Sequence, residues 1–82
     1  VSFGIMPSYA ADKKGLGVDG VRKDGPAGKA GLIKGDIISE IDGKPVNDIY
    51  GYMEALKDLE PGGSSVLKVI RKDSLILLTI KY

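Results

Sequence analysis

Chemistry on a substrate needs a nucleophile, an acid/base pair, a metal cage or an anion cradle, and this 82-residue sequence is poor in all four. It contains no cysteine and no histidine, which removes thiol nucleophiles, disulfides, Cys/His zinc sites and every triad that uses imidazole as its base. The tightest grouping of carboxylates is Asp36, Glu40 and Asp42. They fall on a short apolar run and the turn after it, and side chains on a strand alternate faces. Turn satisfaction and solvent exposure explain them better than an acid/base pair or a metal site. Residues 25–30, Gly-Pro-Ala-Gly-Lys-Ala, have the glycines and lysine of a phosphate-binding loop. Gly28-Lys29, however, has no glycine five residues before it, and Ala30 stands where a Ser or Thr would hold magnesium. The segment is therefore expected to be neither an enzyme nor the holder of a cofactor or metal.

Charge points the same way. Twelve basic and eleven acidic residues are mixed along the chain for a net charge of +1, so no footprint for nucleic acid is present. The adjacent basic pairs, Lys13-Lys14 and Arg71-Lys72, read as a loop and a strand end, both on solvated faces. The longest apolar run, Leu75-Ile76-Leu77-Leu78, is far too short to cross a bilayer, and no charged and apolar leader opens the sequence. With 43% hydrophobic residues the chain suits one small core, hence one domain over residues 1–82, monomeric when isolated. Its abrupt start in a strand-like stretch is expected of a domain excised from a longer protein.

The elements that must position any site are legible from period and punctuation. Residues 1–6 read as a strand, 7–15 as a polar loop, and 16–23 as a strand with Leu16, Val18 and Val21 turned inward. Next comes Gly25-Pro26-Ala27-Gly28-Lys29-Ala30-Gly31-Leu32-Ile33-Lys34-Gly35-Asp36-Ile37-Ile38. Pro26 suits a first helical position, Ala27 and Ala30 permit close packing on a sheet, and Gly31 ends the short helix. Asp36 is placed to accept turn amides before a strand over 37–41. Asp42-Gly43 signals a tight turn. Asn47 or Asp48 caps a second helix with Ile49, Tyr52, Met53, Leu56 and Leu59 at spacings of three and four. It is expected to end at Glu60, before Pro61-Gly62-Gly63. Residues 66–71 alternate without declaring which parity is buried, Asp73-Ser74 turns the chain, and 75–82 form a last strand of high β propensity.

This order resembles the bacterial, circularly permuted PDZ domain of HtrA-type proteases. The motifs that carry the resemblance are Gly25-Pro26-Ala27, Ala30-Gly31-Leu32, Gly35-Asp36-Ile37-Ile38 and Asp42-Gly43. Phe3-Gly4-Ile5-Met6-Pro7 and Asp48-Ile49-Tyr50-Gly51-Tyr52-Met53 are also similar to the PDZ domain of some bacterial zinc aminopeptidases. The resemblance implies an α+β fold, a partly open barrel or sandwich of five to six strands capped by one short and one longer helix. It also implies a bacterial periplasmic, envelope or secreted setting, with zinc and catalysis belonging to another part of a parent chain.

It further implies a carboxylate-binding loop at Ser2, Phe3, Gly4 and Ile5, where the family often has Gly-Leu-Gly-Phe. Gly4 can take a backbone conformation that converges amides on one anion, while Phe3 taken alone also reads as a core residue. The groove is expected between the 3–9 edge and the 48–59 helix, lined by Met6, Pro7, Ile49, Met53 and Leu56, with Tyr52, Ala55 and Leu59 facing the core. Met53 also reads as ordinary core filling. Ile49 stands where many members that choose Ser or Thr have histidine, which favours an apolar ligand side chain. Partners are then a peptide or protein C-terminus, added as a strand, or the parent catalytic domain. One feature departs from the pattern. If Ile5 faces the ligand so does Pro7, and proline has no N–H to donate. The alternative is a structural or regulatory domain whose groove is vestigial or filled by its own parent chain.

Overall fold

The computed structural model describes residues 2–8 and 15–82. Lys13-Lys14, Tyr9 at the end of the expected groove edge, and most of the expected polar loop lie outside the described residues. In chain order the elements are β1 (Ile5–Pro7), β2 (Leu16–Val21), α1 (Pro26–Ala30), β3 (Ile37–Ile41), β4 (Lys44–Pro45), α2 (Ile49–Lys57), β5 (Ser64–Arg71) and β6 (Ser74–Lys81). Six antiparallel strands run in the order β1-β2-β3-β5-β6, with β4 paired to β3, so the sheet does not close and β1 is an edge.

One core holds this together. Phe3, Leu16, Val18, Leu32, Ile38, Ile41, Val46, Leu67, Val69 and Ile80 are buried between the curled sheet and the helices, with Ala27 from α1 and Tyr52 and Ala55 from α2. Each fully buried side chain of this size contributes about 1.5–3 kcal/mol. On β5 the buried parity is Ser65, Leu67 and Val69, while Val66 faces out.

Local chemistry fixes the helices. Pro26 occupies the first turn of α1, and Gly31 caps it in the left-handed region at φ 100°, its N–H reaching the carbonyls of Ala27 and Gly28. Gly28 is there for space. A Cβ on it would stand 2.4 Å from the Arg22 carbonyl oxygen and 2.7 Å from that of Lys23, so α1 rests directly on backbone. In α2 the capping residue is Asp48, whose Oδ1 accepts the Gly51 N–H at 2.9 Å.

Several boundaries differ from expectation. The first strand is Ile5–Pro7 rather than 1–6, and β2 stops at Val21. The second helix ends at Lys57, three residues before Glu60. Pro61 disfavours helical backbone at the residue before it, and a last tight turn from the Leu59 N–H to the Leu56 carbonyl brings Leu59 onto the core. The β5–β6 turn is Lys72-Asp73, not Asp73-Ser74. Arg71 pairs with Ser74, and both intervening residues take positive φ, 49° and 65°. Asp42 and Gly43 do the same between β3 and β4 at 51° and 81°, as the right-handed strand twist favours in two-residue hairpins.

Arg71 also departs from the solvated reading. Its Nε and one terminal nitrogen bind Asp36 Oδ1 and Oδ2 at 2.8 and 2.7 Å, and that terminal nitrogen reaches the Gly31 carbonyl at 2.9 Å. Asp36 is buried and also accepts the Ile33 N–H at 3.0 Å. Burial pushes its carboxyl pKa up, but the Arg71 hydrogen bonds, the Ile33 N–H and the Arg71 charge outweigh that and hold it below the ordinary 3.8. The pair clamps the ends of α1, β3 and β5 together.

Candidate carboxylate-binding loop and groove

Ser2, Phe3, Gly4 and Ile5 lead into edge strand β1, and two carbonyl anchors set the attitude of their peptide planes. The Phe3 carbonyl accepts the Ala27 N–H at 2.9 Å, and the Gly4 carbonyl accepts the Arg22 N–H at 2.7 Å. In a trans peptide the next N–H points opposite its carbonyl, and no cis bonds are present among the described residues. The Gly4 N–H therefore points away from α1, and the Ile5 N–H away from β2. Gly4 joins the two planes at φ 74°, in the left-handed region that glycine adopts without strain. The Gly4 N–H donates to the Ser2 Oγ at 3.3 Å, so the hydroxyl stands where an anion's oxygen would sit and an arriving carboxylate takes its place.

Phe3 itself is a core residue. Its ring is fully buried, meets Tyr52 of α2 edge-on at 6.0 Å and stacks on Tyr82 at 5.8 Å. It can contribute to the loop only through its backbone. Burial of Tyr52 beneath it pushes that phenol's pKa to about 12. Tyr82 is held by its own backbone, donating to Gly63 and accepting from Gly62, and its hydroxyl lies 2.7 Å from that of Ser65. Sequence reasoning missed Tyr82, because no local period links residues so far apart along the chain.

Along β1 the backbone alternates. The carbonyl of Gly4 and the N–H of Ser8 bond toward β2, and Met6 lies opposite Gly20 between them. Ile5 and Pro7 thus turn their backbone groups to the free edge, as period two requires. That edge offers the N–H and C=O of Ile5 and the C=O of Pro7, but no donor at residue 7. The register shifts between Met6 and Pro7, where the extra residue, Asp19, belongs to β2.

On α2 the candidate lining residues Ile49, Met53 and Leu56 fall within about 60° of helical arc, roughly a quarter turn from Tyr52 and Ala55. They differ in exposure. Met53 is 56% exposed, so it is not core filling, whereas Ile49 and Leu56 are half-buried against the core. Met6 is 66% exposed, with its sulfur over Gly20. The carboxylates considered for chemistry are all engaged separately. Asp36 holds Arg71, Glu40 pairs with Lys68 at 2.8 Å, and Asp42 accepts the Val66 N–H at 2.9 Å. Among the described residues no group of three acidic side chains is placed to hold a metal ion.

An open antiparallel sheet, a glycine-jointed loop before its edge strand and a helix whose Tyr52 meets Phe3 of that loop frame the candidate site. The family model for the PDZ domain matches residues 3–82, and the chain belongs to the PDZ family, a non-catalytic binding module. Among curated relatives, a probable periplasmic DegP-like serine endoprotease of Brucella suis is 36% identical over 63 residues, 77% of this chain. The chain spans only 12% of that relative's length. Among solved structures, the HtrA3 PDZ domain bound to a phage-derived ligand of sequence FGRWV superposes at a TM-score of 0.83 with 25% identity, over 98% of this chain and 82% of that one. An aminopeptidase N family protein of Idiomarina loihiensis superposes at 0.85 with 30% identity, over 96% of this chain and 13% of that one. Both parts of the resemblance seen in the sequence, HtrA-type and aminopeptidase-associated, thus have structural counterparts.

Proposed function

We propose that this domain captures an extended peptide by its free C-terminus, laid as a strand against β1 and flanked by α2. The observation that carries the reading is the pair of outward amides at Gly4 and Ile5, fixed by carbonyls tied to Ala27 and Arg22. Two preorganised donors suit one carboxylate without a cationic side chain. Ile5 and the Ile49, Met53 and Leu56 face of α2 supply apolar contact for the terminal side chains, and Met6 and Pro7 continue the edge. The HtrA3 complex supports the peptide class. The curated relatives support a place beside a bacterial peptidase of the periplasm or envelope, and the aminopeptidase neighbour supports an aminopeptidase as that parent.

A second reading, a structural domain whose groove is filled by its own parent chain, is favoured by one feature. Pro7 removes a donor from the free edge, and proline on an edge discourages strand addition. The deciding experiment is an amide-resolved NMR titration with peptides ending in apolar residues, free and amidated. Saturable shifts at residues 2–6 and along α2, lost on amidation, support terminus capture. Absence of shifts at millimolar peptide overturns it in favour of the second reading.

A further inference from the structure

We infer that the far edge of the sheet, the outer side of β6 beside α1, is a second strand-addition site, which takes an extended acidic segment of another protein and needs no free terminus. β6 ends the strand order, and β5 is its one strand partner among the described residues. The Tyr82 N–H donates to the Gly63 carbonyl and the Tyr82 carbonyl accepts from the Gly62 N–H, so the backbone at residue 82 faces the β5 side. The register from Ser64↔Lys81 to Arg71↔Ser74 runs without a bulge, and period two therefore turns the backbone of Ser74, Ile76, Leu78 and Ile80 to β5 as well. Leu75, Leu77, Thr79 and Lys81 direct their N–H and C=O groups outward, and no other backbone bond reaches them among the described residues. Unlike β1, this edge carries no proline and has a donor at every outward position.

Charge and shape choose the occupant. α1 packs against β6, yet a cleft of about 280 Å³ stays open between them, lined by Pro26, Lys29, Ala30, Thr79 and Lys81. Lys29 and Lys81 are exposed and make no ion pair among the described residues, and neither α1 nor β6 carries a carboxylate. The cleft is thus positive, and complementary to an acidic chain. An added strand alternates its faces: one meets the exposed side chains of Leu75 and Leu77, and the other turns toward α1 and Lys29. Apolar residues suit the first face and carboxylates the second. A second copy of this chain fits less well, since its own β6 would bring a lysine and no carboxylate. Backbone bonds along the edge supply the binding; the lysines select the acidic partner.

The test is an amide-resolved NMR titration with an N-acetylated, C-amidated heptapeptide of alternating valine and glutamate, and with the same peptide carrying glutamine for glutamate. The blocked ends keep terminus capture out of the readout. The expected result is saturable shifts of the Leu75, Leu77, Thr79 and Lys81 amides, which also become protected from hydrogen exchange, with residues 2–6 unmoved. In solvent, a unit charge roughly 6 Å from a carboxylate is worth about threefold in affinity, so Lys29→Gln and Lys81→Gln should each lose about that much, and the glutamine peptide about tenfold. Lys34→Gln, outside the cleft, should bind as the wild type does. Leu77→Pro removes an outward donor without touching the β5 ladder, and should abolish binding while the rest of the sheet keeps its amide protection. Equal affinity of the wild type and both cleft-lysine variants, shifts at residues 2–6 in place of β6, or no shifts at millimolar peptide overturn the inference. Protection of the β6 edge in the free domain, together with concentration-dependent sedimentation, overturns it in favour of a second copy on this edge.

Discussion

Replacing Pro7 with alanine should strengthen peptide binding, which is unusual for an alanine substitution in a binding site. Pro7 presents its backbone to the free edge of β1, and the N–H that an ordinary residue would offer there is absent. Met6 is 66% and Met53 56% exposed, so a ligand carbonyl laid opposite residue 7 would stay hydrated. The missing bond therefore costs only its net worth, about 0.5–1.5 kcal/mol, and not the larger penalty of a dry, unpaired carbonyl. Pro7→Ala should raise affinity by about two- to tenfold. It should also lower the stability of the free domain by about 0.4–1 kcal/mol, because the unfolded chain gains freedom. Calorimetry with a free C-terminal peptide measures the first effect and urea denaturation the second. Hydrogen exchange at the new amide of residue 7 then assigns the gain, since that amide should be protected only when peptide is bound. Unchanged affinity, or a gain without protection at residue 7, would refute strand addition along this edge.

Other substitutions separate stability from binding. Gly28→Ala forces a methyl against two backbone oxygens at 2.4 and 2.7 Å, and should cost about 2–3 kcal/mol in urea denaturation. Met53→Ala should change stability by under about 0.5 kcal/mol, yet weaken peptides with apolar ends by about three- to tenfold in the same calorimetric assay. Asp36 has its pKa lowered in the fold, so its contribution to stability is present above the ordinary 3.8 and is lost as pH falls through the lower folded value. Asp36→Asn should therefore cost about 2 kcal/mol at neutral pH, by leaving Arg71 without its partner, and should flatten the acid side of the stability profile below about pH 4.

What the sequence disclosed and what it hid follow from range. Pro26, Gly31, Asp42-Gly43 and Asp48 act on neighbours within four residues, so their turns and caps could be read directly and occur where expected. The alternation of β5 could not reveal its buried side, because Val66 and Leu67 are equally apolar and only the packing of Ile41 and Ile80 selects Leu67. Glu60 looked like the helix end because Pro61 is the visible stop, but a helix can end before its stop, and Leu59 turns toward the core first. Of the candidate site, the loop glycine before an edge and the apolar helical face are the parts that local sequence can express. The Phe3–Tyr82 stack, the Asp36–Arg71 clamp and the approach of Arg22 to Gly4 join distant segments, and nothing local encodes them.

The Phe3–Tyr82 stack has a consequence for the order of folding. The two rings are seventy-nine residues apart in sequence, so bringing them together closes nearly the whole chain, at an entropic cost of roughly 4 kcal/mol beyond the constant for starting a loop. The β5–β6 hairpin closes through a two-residue turn and pays almost none of this. The hairpin and its pairing with β3 should therefore form early, and the loop before β1 should be fastened last, when Tyr82 is already held by Gly62 and Gly63. The candidate binding loop is then the slowest part of the domain to acquire its shape and the first to lose it. A chain trimmed at either end should keep most of its sheet while losing its ligand, and recovery of peptide binding during refolding should lag behind recovery of β structure.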